Sequence, residues 1–449
     1  MTSMPAAALP EASTILCIFL IFLVPFAIAG LALINTGLGR SHSAAHTMLA
    51  SLCIFAVAFG VYFICGFAWQ GYIGMPAHTL MVSGKPWNWL GAQPFFLRGV
   101  ELGGSTNSLA ACLQMLSVAV AALIPLGAGI DRWRLSAICA STALLAGWTY
   151  PLFAHWVWGG GWLAQLGVNY GLGHGFVDAG GAGSIQVLGG LTALSIAWIL
   201  GPRKGKFSQE GMPNAIPGHN AVLVLLGCLL ALMGWLGLNS AGALLFAGGT
   251  PGGTVLIAIN TILAAASAGL AAALITRSQF GRPDVSLTAN GWVSGLVASS
   301  AVCAFVAPAA AVLIGLVGGA LTTLSVEWFE MRTGVDDPGG AISVHGVSGL
   351  WGLLAVALFA HVPAGFLNVA GGPQGQGYGE SGQWLAQIVG IATLLGFVFP
   401  LTYGLNRALD LICRHRVAPE GERQGLDLYE LGAGAYPEFV THTDEFTQR

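Results

Sequence analysis

Asp337-Pro-Gly-Gly-Ala-Ile-Ser-Val-His345 and Asp178-Ala-Gly-Gly-Ala-Gly-Ser-Ile-Gln186 are two copies of one pattern. Asp, Gly, Gly, Ala and Ser stand at the same offsets, and Ile or Val precedes the last position. Glycine is common in this chain, 66 of 449 residues, so the shared glycines weigh little and the shared Asp and Ser weigh more. Each copy opens an apolar run of roughly 20 residues, the length that crosses a bilayer as a helix. The acid of each copy stands where a carboxylate caps free N–H groups and meets the positive end of the helix dipole. Gln186 and His345 then fall two turns inside their helices, where a polar side chain is costly and functional by default.

The composition agrees with this reading along the whole chain. Hydrophobic residues make up 55% and charged residues 8%, against about 25% charged in a soluble protein. Disorder and a collagen repeat are excluded, and a net charge of −3 offers no basic surface for nucleic acid. The long apolar runs point to helices rather than the alternating strands of an outer-membrane barrel. Abundant small residues suit close helix packing in a membrane. The eight cysteines form no CxxC pair and read as buried free thiols, with no metal site or disulfide framework. The N-terminal segment has no basic n-region, so the first apolar run reads as a retained span.

The runs divide into eleven spans, at 13–35, 44–69, 109–130, 135–157, 181–200, 220–240, 253–276, 286–305, 307–328, 342–362 and 385–412. Only a short turn near Pro308 separates the eighth from the ninth. With the N-terminus outside, the only outside residues among the 16 Lys and Arg are Lys85 and Arg98. That bias fixes the C-terminus inside. The basic loops, including Arg40, Arg132 and Arg203, read as ordinary topological anchors. Residues 1–412 form an all-α integral membrane domain, and residues 413–449 a polar cytosolic tail. The 70–108 stretch, with Trp87 and Trp89, reads as an extracytoplasmic loop carrying interfacial aromatics. His42 and His46, four residues apart, read as a solvated helix start.

The two copies lie five spans apart, so their helices run in opposite directions. Asp178 belongs near the outer face and Asp337 near the inner face. This is the arrangement of two five-helix inverted repeats followed by a C-terminal helix, with a solute site at the midplane. Gln186 and His345 are predicted to meet there. A helix–helix hydrogen bond that only fixes packing is the other role open to Gln186.

These strings resemble the ammonium transporter family (Amt/Mep/Rh). Asp336-Asp337-Pro-Gly-Gly-Ala-Ile-Ser-Val-His345-Gly-Val-Ser-Gly-Leu-Trp-Gly352 is similar to its tenth-helix signature. Ala154-His155-Trp156-Val157-Trp158-Gly-Gly-Gly161 resembles the end of its fourth helix, Gly234-Trp235-Leu-Gly-Leu-Asn239 its sixth, and Gly425-Leu426-Asp427 its tail. The resemblance implies a homotrimer in the cell (inner) membrane, with one pore in each subunit passing ammonium, ammonia or a small amine, and no cofactor. It leaves open a cytosolic nitrogen-regulatory protein as a partner. It places Trp158 and Asp178 at an outer vestibule, where an indole face suits a small cation, and His345 in a pore histidine pair. Without the resemblance, Trp158 reads as an interfacial belt residue.

Several positions depart from the family pattern. The two gate phenyls fall on Ser117 and Leu238, the vestibule serine on Gly242, and the first pore histidine on Gln186. The tail His-Gly-Glu appears as Leu431-Gly-Ala433. An amide does not protonate near neutral pH, so Gln186 is a poor member of a proton relay. Two functions are therefore expected: transport of ammonium/ammonia, or an ammonium sensor built on the same fold with little conduction. A membrane enzyme is the third class, but the chain carries no Gly-x-Ser-x-Gly, no HExxH and no intramembrane carboxylate pair.

Overall fold

The computed structural model describes residues 9–362 and 382–436. The first eight residues and the end of the polar tail, with Arg449, lie outside them. The chain is helical, with a single two-stranded hairpin among the described residues. Among the described residues, ten helices are long and apolar enough to cross a membrane: α1 Glu11–Leu38, α2 Ser41–Gln70, α3 Thr106–Gly129, α4 Leu135–Trp158, α5 Ala182–Leu200, α6 Ala221–Phe246, α7 Pro251–Phe280, α9 Pro308–Thr333, α10 Ile342–Phe359 and α11 Gln383–Ile412. Between α7 and α9 stands α8, Val285–Ser300, with 16 residues. That is just under the usual spanning length of about 17–25 residues. The expected eighth run to residue 305 is therefore too long. The chain leaves the helix after Ser300 and turns through Ala301–Phe305 to Pro308, whose fixed φ starts α9.

Glycine and alanine set the packing. α1 and α6, the opening helices of the two halves, lie side by side. A Cβ added at Gly30 would come within 2.5 Å of the Gly227 carbonyl, and one at Gly234 within 2.0 Å of the Ala27 nitrogen. Such contacts give two helix backbones their close approach in a lipid environment. α5 and α10 cross in the same way, because a Cβ at Gly190 would come within 2.4 Å of the Gly346 nitrogen.

Two features of the segments outside the spans were not read from the sequence. Residues within 70–108 form a hairpin, β1 Ala77–Val82 against β2 Lys85–Gly91. Trp87 stacks on Trp162 at 4.9 Å, and Trp156 Nε1 donates to the Trp89 carbonyl at 2.8 Å. The described part of the tail also folds against the membrane domain. A short helix, α12 Pro419–Gln424, leads into a turn over Asp427–Leu431 that folds back on the start of α2. Asp427 accepts from the backbone N–H groups of Ala45 and His46, at 3.1 and 2.7 Å. His46 is consequently not solvated. It is buried, and its Nε2 lies 2.8 Å from Glu430 Oε2.

Two of the basic loop residues also make buried ion pairs that were not read from the sequence. Arg132 and Arg203 are buried with Asp131 and Asp336. Arg203 holds Asp336 through Nε at 2.9 Å and Nη2 at 3.0 Å, and reaches Asp131 through Nη1 at 3.1 Å. Arg132 donates to the Asp336 and Gly201 carbonyls at 2.8 and 2.7 Å. Burial alone would push the Asp336 carboxyl up, but the two guanidiniums outweigh it and hold it at about 2. The cluster ties the loops after α3 and α5 to the segment that starts α10.

Candidate pore and outer mouth

The site is built where α5 and α10 begin. Both helices open with a wide turn, Ala182–Val187 and Ile342–Val347. Both are preceded by a glycine in the left-handed region, Gly181 at φ 92° and Gly340 at φ 66°, three residues after the acid of the motif. L-residues rarely adopt that backbone, which accounts for glycine at the shared offset. Asp178 accepts from the N–H groups of Gly181, Gly183 and Ser184 at 3.0, 3.0 and 2.8 Å, and from the Ser184 hydroxyl at 2.9 Å. Asp337 accepts from Ala341 and Ile342 at 3.0 and 2.7 Å. These bonds satisfy N–H groups that the first turn of a helix leaves free.

The loop holding Asp178 is laced to α11. Gln387 Nε2 donates to the Val177 carbonyl at 3.0 Å, and the Val177 N–H donates to Gln387 Oε1 at 2.8 Å. Gln383 does the same for Gly175 and His174, at 2.9 Å each. Two glutamines one turn apart inside an apolar span were the available sequence signal, and the sequence reading did not use it.

The crossing brings Gln186 and His345 together, with His345 Nδ1 2.7 Å from Gln186 Oε1. Both residues are buried. The amide oxygen has no hydrogen to give, so Nδ1 carries the ring proton and Nε2 keeps its lone pair. Gln186 Nε2 has no hydrogen-bond partner among the described residues. The pair therefore offers one free donor and one free acceptor. Toward the tail side, His345 shares a narrow cavity of about 10 Å³ with Asn35, Ile124 and Asn290. The two asparagines were not singled out from the sequence, although an amide inside an apolar run marks each.

On the hairpin side the family-derived positions are arranged differently from one another. Trp158 ends α4 and donates from Nε1 to the Asp178 carbonyl at 2.8 Å. Gly242 faces the same loop, and a Cβ there would come within 2.5 Å of the Ala179 carbonyl. Leu238 is buried one turn earlier on α6. Ser117 is buried on α3, and its hydroxyl donates to the Leu113 carbonyl at 2.8 Å. Tyr150 donates its hydroxyl to Gln114 Oε1.

The glycine at 242 follows from that close approach. Gly242→Ser should not supply a vestibule hydroxyl, because its Cβ would collide with backbone. We expect the variant to lose stability by about 1–3 kcal/mol, the usual cost of overpacking, read as a lower Tm in mild detergent.

A polar pair buried where two helices cross, each started by the same capped turn, is the kind of feature a helical membrane transporter carries. A sequence profile of the Ammonium Transporter Family matches residues 14–436, and the chain belongs to that family. Ammonium transporter Amt2 of Archaeoglobus fulgidus is 38% identical over 424 residues, which cover 93% of this chain and 87% of that one. The ammonium transporter of Bacillus subtilis is 31% identical, with 94% and 98% covered. Among solved structures, a Sensor Amt Protein superposes with a TM-score of 0.82 at 30% identity, covering 93% of this chain and 98% of its own. Saccharomyces cerevisiae Mep2 gives 0.77 at 25% identity, with 92% and 90% covered.

Proposed function

We propose that this protein moves ammonium across a membrane as ammonia, through a pore in each subunit that passes between Gln186 and His345. The observation carrying this reading is the 2.7 Å contact of that pair, with a free donor on Gln186 and a free acceptor on His345. Ammonia has one lone pair and three N–H groups. Its lone pair can accept from Gln186 Nε2 while an N–H donates to His345 Nε2. Ammonium has no lone pair to meet the amide, and a cation at the bilayer centre costs about 2.5 kcal/mol or more. Asn35 and Asn290 continue the polar path toward the tail side.

Trp158 and Asp178 form the outer mouth in this reading, with Trp158 offering an indole face to the cation before it gives up its proton. Leu238 and Ser117 take the gate positions, and Gly242 the vestibule serine's. The eleven helices run with the N-terminus outside and the tail in the cytosol, as the distribution of Lys and Arg supports. The assembly is a trimer in the cell (inner) membrane, and exposed apolar side chains such as Phe19, Phe22 and Val222 on α1 and α6 suit lipid or a neighbouring subunit. A nitrogen-regulatory protein is a candidate partner for the tail face.

Ammonium sensing with little conduction is the second reading. It is favoured by the changes at the gate positions and by the likeness to a protein named a sensor. One assay separates the two. Protein in liposomes should take up ammonia faster than empty liposomes, with little ammonium-dependent current. Ammonium binding without uptake would establish the sensor reading instead.

A further inference from the structure

We infer that Phe246 selects the cation admitted at the outer mouth, by occupying the face of Trp158 that the cation needs. The inference rests on the reading of Trp158 as the vestibule aromatic. Phe246 is the last helical residue of α6, and its ring stacks on the Trp158 indole at 4.8 Å with 16° between the planes. Trp158 is 3% exposed and Phe246 is 4% exposed, so neither ring offers an open face. The indole cannot turn away, because its Nε1 is bonded to the Asp178 carbonyl.

Phe246 is itself supported from outside the helix. The Tyr72 ring lies against it at 5.9 Å, and the Tyr72 hydroxyl donates to the neighbouring Leu245 carbonyl at 2.5 Å. Leu238, Gly242 and Phe246 recur every four residues and so share one side of α6. That side has no aromatic ring at the gate position and no hydroxyl at the vestibule position. It carries an aromatic ring one turn further out. After Phe246 the helix stops, and Gly248 takes a left-handed backbone at φ 62°.

The energetics make this an exchange of comparable contacts. A stacked aromatic pair and a partly desolvated cation–π contact are of similar strength. A cation reaching the indole must displace the phenyl ring and gains only the difference. Removing the ring should therefore tighten cation binding by about two- to twelvefold, the factor that corresponds to the usual strength of an aromatic pair. Methylammonium should gain more than ammonium, because its methyl group needs the volume that the phenyl ring fills.

The test reads binding without requiring conduction. Purified protein in mild detergent is titrated with ammonium chloride or methylammonium chloride, with sodium chloride as the ionic-strength control, and the rise in Tm gives the half-saturating concentration. Phe246→Ala should lower it about two- to twelvefold, with the larger change for methylammonium. Phe246→Leu, which keeps apolar volume and loses the ring, guards against a folding defect and should change it in the same direction. In a Trp158→Ala background, Phe246→Ala should change nothing further. Unaltered half-saturation in both Phe246 variants, with binding weakened by Trp158→Ala, would overturn the inference. If Trp158→Ala binds ammonium as well as the unmodified protein, the vestibule reading fails and the inference with it. If half-saturation changes as expected but liposomes show no ammonia uptake, conduction fails and the role of Phe246 stands.

Discussion

Gln186→His is expected to increase ammonium-dependent current by about tenfold or more. In the unmodified protein the Gln186–His345 pair has one titratable ring, and the amide beside it neither takes up nor releases a proton near neutral pH. On the proposed reading ammonia passes between them, and the proton it leaves behind has no chain of titratable groups to follow. The bare cation is held back by about 2.5 kcal/mol or more, which is roughly a 70-fold factor in rate. A second imidazole at 186, already within contact distance of His345, would let a proton pass by tautomer exchange or reside as imidazolium. Solid-supported membrane recordings on liposomes of the two proteins give the comparison. Ser117 at a gate position could instead admit water that conducts protons past the amide. Such a path would leak protons without ammonium, so a pH-gradient control distinguishes the cases. Robust ammonium-dependent current in the unmodified protein, unchanged by Gln186→His, would refute the proposed neutral passage.

Asp336→Ala is expected to cost about 3–5 kcal/mol of stability, the usual loss when one partner of a buried ion pair is removed. Arg132 and Arg203 would remain buried with only Asp131 to balance them. The segment leading into α10 would lose its tie to the loop after α5, and the position of His345 depends on both. Asp336→Asn, which keeps an acceptor for Arg203, should lose less. The pH dependence has a definite sign. The folded carboxyl titrates at about 2, below its ordinary 3.8. As pH falls, the unfolded chain takes up the proton first. The stabilisation from this group is therefore complete above about pH 4 and is lost as pH falls toward 2. Thermal melts of the unmodified protein and Asp336→Ala across that window should converge at the acid end.

The membrane class and the boundaries of most spans could be read from residues alone. Apolar length and the bias of Lys and Arg are local properties that the bilayer imposes on any chain. Matched Asp and Ser at equal offsets identified two helix starts, and the equivalent position after each acid predicted that Gln186 and His345 meet. Resemblance in order and spacing then gave the family.

What the sequence could not give was anything set by a partner distant in the chain. His46 looked like a solvated helix start, because Glu430, which buries it, lies 384 residues away. Arg132 and Arg203 looked like topological anchors, because the charge that pairs with them comes from Asp336, at the far end of the second repeat. Gly242 read as a lost serine, whereas the close approach of the Ala179 carbonyl leaves no space for any side chain there. Trp158 read as a vestibule aromatic by resemblance or as a belt residue without it, and only the folded chain lays Phe246 over it. Periodicity and charge bias report on how a segment meets the membrane. Burial of a charge, occupation of a ring face and contact between two backbones depend on which segments meet each other, and that is decided when the helices pack.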